Sequence, residues 1–366
     1  MRTTNPLFGD QPFKFGIFAY LHEGGMTLTK APERWPARWP DIVNLAKMSD
    51  EGGLDFMLPI SSWNGWKGEI EHRRYSFETL THAAALSGVT KRIALMATVH
   101  TPLIHPIFVA KALATIDHAT GGRTGLNIVC GWQPGDFKMF GVEQLVDHDA
   151  RYAQGQEWFD ILSKLLGGVS EPFDYRGKYF NCEGLNAQPG SVQQPYPAIL
   201  NAAFSPIGRD FAVRNADFLL TIITNMANAE KEMTDIRERA AAAGRKMPLG
   251  VISTATLVCR ETRKEAEEFN RYYALEQADN LAIDQYTDAR SKMASSPTFA
   301  SVEAMRMRAA GGGTLIGTPE DIVEGFLKMK KAGVSGAAMH LLNPGNDLPF
   351  ILERVVPLMK QAGLRH

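Results

Sequence analysis

The chain has 366 residues, with 39 Lys+Arg against 40 Asp+Glu, 45% hydrophobic and 22% charged residues, 33 Gly and 20 Pro. Charge near zero and of scattered sign offers no basic stripe of the kind that nucleic acid or an anionic membrane requires, so neither partner is expected. Cys130, Cys182 and Cys259 are too few and too far apart for a disulfide framework or a zinc CxxC pair. The polar N-terminus and the lack of any run near about 18 apolar residues predict a cytoplasmic chain.

Short β-rich apolar runs alternate with longer amphipathic segments along the whole chain. The pattern predicts strands over 15–20, 56–60, 94–99, 125–129, 199–204, 218–222, 250–258 and 337–342. Helical patterns fall over 39–52, 77–87, 106–120, 151–166, 206–215, 229–243, 263–274 and 319–332, and a last one over 349–362 closes the chain. Thr318-Pro319-Glu320-Asp321 carries a cap, a first-turn proline and acids suited to a helix N-terminus, and Gly333 follows the last lysines as a stop. Eight strands each followed by a helix predict an α/β fold, a (β/α)8 TIM barrel forming one domain over 1–366. No GxGxxG follows the first strand, which argues against a doubly wound sheet. Insertions at the C-terminal face are expected around 130–150, 170–198 (with a hairpin-like stretch at 173–182) and 276–316. The Ala309-Ala310-Gly311-Gly312-Gly313 end of the last is expected to be mobile.

Several residues stand out against this frame. Asn127 interrupts an otherwise apolar strand, so its amide either hydrogen-bonds a ligand at the barrel top or is satisfied by neighbouring backbone. Thr98 ends the preceding strand beside His100, Thr101 and His105, where a back-bond to its own chain is the plainer reading. The two histidines lack an acid or cysteine to complete a ligand set, so no metal is assigned. Arg151, next to Tyr152, sits at a helix start where acids are favoured; either a bound phosphate resolves that conflict, or Asp147 or Asp149 caps the helix and pairs with Arg151. Ser205-Pro206 caps a helix that begins directly after a strand, which also leaves backbone N–H groups for a phosphate. Trp35, Trp39, Trp63 and Trp66 crowd the first two loops and suggest an aromatic-walled pocket.

Four stretches together carry a family resemblance: Ala114 to Trp132 (ATIDHATGGRTGLNIVCGW), Asp147 to Tyr152 (DHDARY), Tyr175 to Phe180 (YRGKYF) and Gln193 to Pro197 (QQPYP). With them the chain resembles the bacterial luciferase-like flavin monooxygenases over nearly its whole length. Within that family it is most similar to the pyrimidine monooxygenase branch, with the dimethylsulfone and alkanesulfonate branches as neighbours. The resemblance implies a TIM barrel that receives reduced FMN from a separate NAD(P)H-dependent flavin reductase and reacts it with O2, by a flavin N5-peroxide in the pyrimidine branch. It also implies a homodimer or homotetramer.

By position, the branch's oxygen pocket falls on Leu58, Thr98, Asn127 and Trp132, with Thr98 and Asn127 as donors to the developing anion. Its FMN contacts fall on Ser61, Ser62, Asn127, Asp136, Arg151, Tyr152 and Ser205. The pyrimidine branch has Ile-Lys in place of Ser61-Ser62 and Glu in place of Asp136, and the dimethylsulfone branch lacks a threonine at position 98. The alkanesulfonate branch has a histidine where this chain has Thr256. The resemblance therefore implies oxidation and cleavage of a small, uracil-like heterocyclic amide, read by His22, Glu23, Trp63, Trp66 and Glu69. The alternatives are an organosulfur C–S monooxygenase and a deazaflavin-dependent dehydrogenase on the same fold.

Overall fold

A computed structural model describes residues 2, 4–131, 133–142, 147–223, 226–293 and 301–366. Eight parallel strands close on themselves: β1 (Lys14–Phe18), β2 (Phe56–Leu58), β3 (Ala94–His100), β4 (Thr124–Val129), β5 (Ala198–Ala202), β6 (Phe218–Thr221), β7 (Gly250–Cys259) and β8 (Gly336–His340). Each pairs with the next, and β8 pairs back with β1 through Lys14 beside Gly336 and Ile17 beside Met339. All eight expected strands are present, each shifted by no more than a few residues, and the fold is the TIM barrel that their number predicted. Leu315–Gly317 adds a short outer strand alongside β7.

Alternation along each strand sorts side chains into two cores. Phe56, Leu58, Met96, Leu200, Phe218, Leu220 and Ile252 fill the lumen, while Phe15, Ile17, Met57, Leu95, Leu126 and Ile199 point outward against the helices. The lumen tolerates the large residues because small ones face them. A methyl group on Gly16 would collide with Phe56, and one on Gly125 with the end of Met96. Leu7 and Phe8, in the short 3-10 turn Pro6–Phe8, join the lumen cluster, and Phe8 stacks on Phe218 at 5.9 Å.

Helix boundaries follow local chemistry. Thr318 and Asp321 form a reciprocal cap on Pro319–Ala332, which ends at Gly333 in a left-handed conformation, φ 104°. The stretch 173–182 is an antiparallel hairpin, Phe173–Arg176 against Asn181–Leu185. The segment 276–316 differs from the loop expected there: it carries helices Asn280–Met293 and Val302–Ala309, and the Ala309–Gly313 stretch turns back through hydrogen bonds from Gly311 and Gly312 to Arg308 and Met307. These helices build a third apolar cluster, with Tyr273, Ile283, Tyr286 and Met305 against Leu28, Trp66 and Leu342 of the barrel-top loops. No helix among the described residues is long and apolar enough to cross a membrane.

The C-terminal tail is tied to the first two strands. Arg365 donates to Asp55 at 2.6 Å and to the carbonyls of Phe13 and Gly53, while Asp55 also accepts the Phe15 N–H at 2.7 Å. Both ionic side chains are buried, so removing one strands the other. Arg365→Met is expected to lower unfolding free energy by about 3 to 5 kcal/mol in denaturant titration, whereas Arg354→Met, at an exposed pair with Glu261, costs less than about 1 kcal/mol.

Candidate active site

Parallel strands put all their C-terminal ends at one mouth, where inward positions near the top share a small volume. Thr98 and Asn127 stand side by side there, in register between β3 and β4. Both are buried. The Thr98 hydroxyl donates to the Pro59 carbonyl at 2.6 Å and accepts the Asn127 side-chain N–H at 3.3 Å. The single hydroxyl hydrogen of Thr98 is thus committed to Pro59, so Asn127 must turn its NH2 toward Thr98. The Asn127 carbonyl oxygen is left buried without a partner. Thr98 is thus satisfied by a backbone carbonyl of its own chain, one in the loop after β2 and not in its own strand, whereas Asn127 is not satisfied by backbone. Leu58 ends β2 in the lumen cluster directly before Pro59. Trp132 lies outside the described residues.

The loop after β2 is held by Asp136 from helix Pro134–Met139. Its Oδ1 accepts the N–H groups of Asn64 at 2.9 Å and Trp63 at 3.3 Å, and its buried Oδ2 has no hydrogen-bond partner, with His100 Nδ1 at 4.0 Å. Burial pushes the Asp136 carboxyl up to about 6 despite the amides of Asn64 and Trp63 and the charge of Arg73. Burial likewise holds His100 down at about 4. Ser61 and Ser62 are buried beside this loop, and the Ser62 hydroxyl is unpartnered.

A third group lies at two helix starts. Asp147 caps His148–Leu166 through the Asp149 N–H, so that half of the bland reading of Arg151 holds. The other half does not. Arg151 is 4% exposed and forms no ion pair among the described residues, and burial lowers its pKa. Tyr152 presses its hydroxyl against Gly208 in the first turn of Pro206–Asn215, the helix that Ser205 caps through the Gly208 N–H at 3.3 Å. An unneutralised guanidinium, a phenol and a helix N-terminus therefore converge, which suits a phosphate.

The aromatic-walled pocket is only partly formed. Trp35 is core, its N–H on the Tyr20 carbonyl at 2.7 Å, and Trp39 packs edge-to-face on Phe77. Trp63 packs edge-to-face on Phe140, and Trp66 lines a cavity of about 260 Å3 together with Asn64, Gln133, Pro134 and Gln285. Of the other loop residues, His22 is fully buried, Glu23 is partly buried, and Glu69 pairs with Lys30 at the surface. His105 caps the helix Pro106–Thr120. Sequence reasoning missed Arg73, Arg308 and His340, all buried at the mouth. His340 was detectable by the signal that marks Asn127, a polar residue inside an apolar strand; Arg73, in His72-Arg73-Arg74, reads as an ordinary surface run.

The luciferase-like monooxygenase family profile matches residues 13–336. An FMNH2-dependent dimethylsulfone monooxygenase of Pseudomonas putida is 28% identical over 362 residues, covering 96% of either chain. A pyrimidine monooxygenase of Agrobacterium fabrum is 26% identical over 333 residues, 88% of this chain and 90% of its own. A riboflavin lyase solved with modified FMN and riboflavin shares the fold, with a TM-score of 0.85 at 20% identity over 97% of this chain and 92% of its own.

Because the Asp136 pKa is raised above its ordinary 3.8, the folded state holds a proton that the unfolded state releases between about pH 4 and 6. Stability contributed by this group is therefore present at low pH and lost as pH rises through 6. Asp136→Asn is expected to melt higher than the parent at pH 7, by roughly 2 kcal/mol of stability, with the advantage gone at pH 4. Melting curves at both pH values check this, and an advantage that persists unchanged at pH 4 contradicts it.

Proposed function

The chain belongs to the luciferase-like monooxygenase family, and from that premise we propose that it is a two-component monooxygenase. It takes reduced FMN from an NAD(P)H-dependent flavin reductase and uses O2 to oxidise and cleave a small heterocyclic amide of the pyrimidine type. The observation that carries this is the Pro59–Thr98–Asn127 relay, which leaves one buried amide oxygen unsatisfied at the barrel mouth. An acceptor of that kind suits the N–H groups of a reduced flavin ring, and the Arg151, Tyr152 and Ser205 cradle suits its phosphate. The residues present therefore fit FMN.

Bound reduced FMN supplies the electrons that activate O2, one oxygen atom going to substrate and the other to water. The chain's part is binding, orientation and exclusion of water. Arg151, Tyr152 and the helix start at Ser205 hold the phosphate. Leu58 walls the oxygen side with apolar surface. Asn127 offers its carbonyl oxygen and its remaining N–H to the reacting centre, the N–H serving any negative charge that develops there. Thr98, with its hydrogen given to Pro59, acts as a positioning residue for Asn127 and not as the donor expected of it. Asp136 fixes the Trp63–Asn64 turn, and Ser61 and Ser62 border the same edge.

A dialkylsulfone substrate is the second reading, favoured by the Pseudomonas putida relative that matches over 96% of the chain. A coupled assay with FMN, NADH and a flavin reductase in 18O2 separates the two. The amide reading expects ring-opened product from uracil or a cyclic amide carrying one labelled atom; labelled product from dimethylsulfone alone overturns it.

Two sets of variants test the site. Arg151→Gln is expected to weaken FMN binding by about 10- to 100-fold while leaving riboflavin binding unchanged. Asn127→Ala and Thr98→Ala are expected to retain flavin binding and lose labelled product, with Thr98→Ser restoring it. Product formation at the parent rate in Asn127→Ala rules out the relay.

A further inference from the structure

A second polar cluster at the mouth lies apart from the residues assigned above to the flavin and its oxygen. In the closed ring β7 and β8 lie across from β3 and β4, so Thr254, Thr256 and His340 face Asn127 from the opposite rim. Arg308 reaches them from helix Val302–Ala309, donating to Thr256 Oγ1 at 3.1 Å and Thr254 Oγ1 at 2.8 Å. Arg73 approaches through the loop after β1, donating to the Gly25 and Met26 carbonyls, both at 3.1 Å. The N–H of the same Met26 donates to His340 Nε2 at 2.9 Å. A methyl group on Gly25 would come within 2.6 Å of that nitrogen, so glycine is what lets the loop close on His340.

The unmet groups of Arg308 and His340 are donors, while the nearby His22 Nε2 is a buried acceptor without a partner. Of the five N–H groups on each guanidinium, two are used. Arg308 Nε–H is buried without an acceptor. A backbone N–H can only donate, so His340 Nε2 carries the lone pair and the ring hydrogen sits on Nδ1, which is also buried and unpartnered. Arg308, Arg73 and His340 are 6%, 3% and 1% exposed, and no carboxylate lies within 4.0 Å of either guanidinium among the described residues. Burial, with both guanidiniums and His22 close by, holds His340 neutral, and burial lowers Arg308 to about 10. Asp136 attracts Arg73 only from beyond ion-pair distance. Two buried cations and an unpaired imidazole N–H are costly unless an acceptor of opposite charge completes them.

We propose that Arg73, Arg308 and His340 form the recognition subsite for an anionic group, a carboxylate or sulfonate, on the substrate. This rests on the monooxygenase reading and narrows it: the oxidised molecule carries its charge at the β7–β8 rim, with its reacting atom toward Asn127. The threonine hydroxyls set the Arg308 plane, and the planar fork favours two-point contact with the anion.

The test is equilibrium binding to the full chain, first of FMN and riboflavin, then, with FMN present, of orotate, uracil and 1-propanesulfonate. Orotate and uracil share a ring and differ by a carboxylate; the sulfonate arm tells the two anions apart. Orotate or propanesulfonate is expected to bind at least about tenfold more tightly than uracil, and Arg308→Gln and Arg73→Gln to remove that preference while FMN affinity is kept. Equal binding of uracil and both anions overturns the subsite without needing any variant to fold. Loss of FMN but not riboflavin affinity in Arg308→Gln also overturns it, since the guanidinium then serves the flavin phosphate. Failure of the parent to bind FMN at all counts against the monooxygenase reading instead.

Discussion

Closure of the eight-strand ring is the constraint on which the site depends. In a closed parallel barrel, side chains two residues apart on a strand enter the same lumen, and the lumen is only as wide as the side chains that fill it. Phe56, Met96 and Phe218 occupy the lower part, where Gly16, Gly125 and Gly250 make room. Above them the inward positions become polar on both sides, Thr98 and Asn127 on one, Thr254, Thr256 and His340 on the other. Once the ring closes, these residues cannot reach bulk water, so each must find a partner or keep an unmet hydrogen-bonding group.

That shared predicament explains the electrostatics. Burial keeps His22, His100 and His340 neutral near neutral pH, while the Asp136 carboxyl, raised only to about 6, is ionised there. The guanidiniums of Arg73, Arg151 and Arg308 remain as the cations, two at the β7–β8 rim and one at the helix starts. The division gives the mouth two poles of positive charge with a hydrogen-bonding amide between them. An extended molecule with an anionic tail, and a second one with an anionic group, can be oriented against each other by such an arrangement without any nucleophilic side chain.

The loop after β1 shows how distant segments are joined into one site. Gly25 and Met26 hold Arg73 by their carbonyls and His340 by an N–H, and Leu28 accepts the C-terminal end of the Arg308 helix by donating to the Ala309 carbonyl at 2.9 Å. Residues 308 and 340 thus depend on a turn near residue 25 for their placement, a dependence no local pattern carries.

Strand number, helix phase and caps were legible because they are local: apolar alternation, the Thr318–Asp321 cap and the Gly333 stop are satisfied within a few residues of chain. Asn127 was legible for a related reason, since an amide in an apolar strand must have a partner somewhere. The partners were not. That Thr98 gives its hydrogen to Pro59 across 39 residues, that Met26 joins His340 across 314, and that Arg151 finds no acid among the described residues although two aspartates precede it are facts about distance in space. The helices in 276–316 were hidden because their apolar faces pack on barrel-top loops and carry little periodicity of their own. The amino-acid sequence by itself determined the eight βα units and the family, because periodicity and motif spacing are properties of the chain. Only the tertiary structure decided which polar groups remain unpaired at the mouth, because pairing is settled by distance in space and by the exclusion of water.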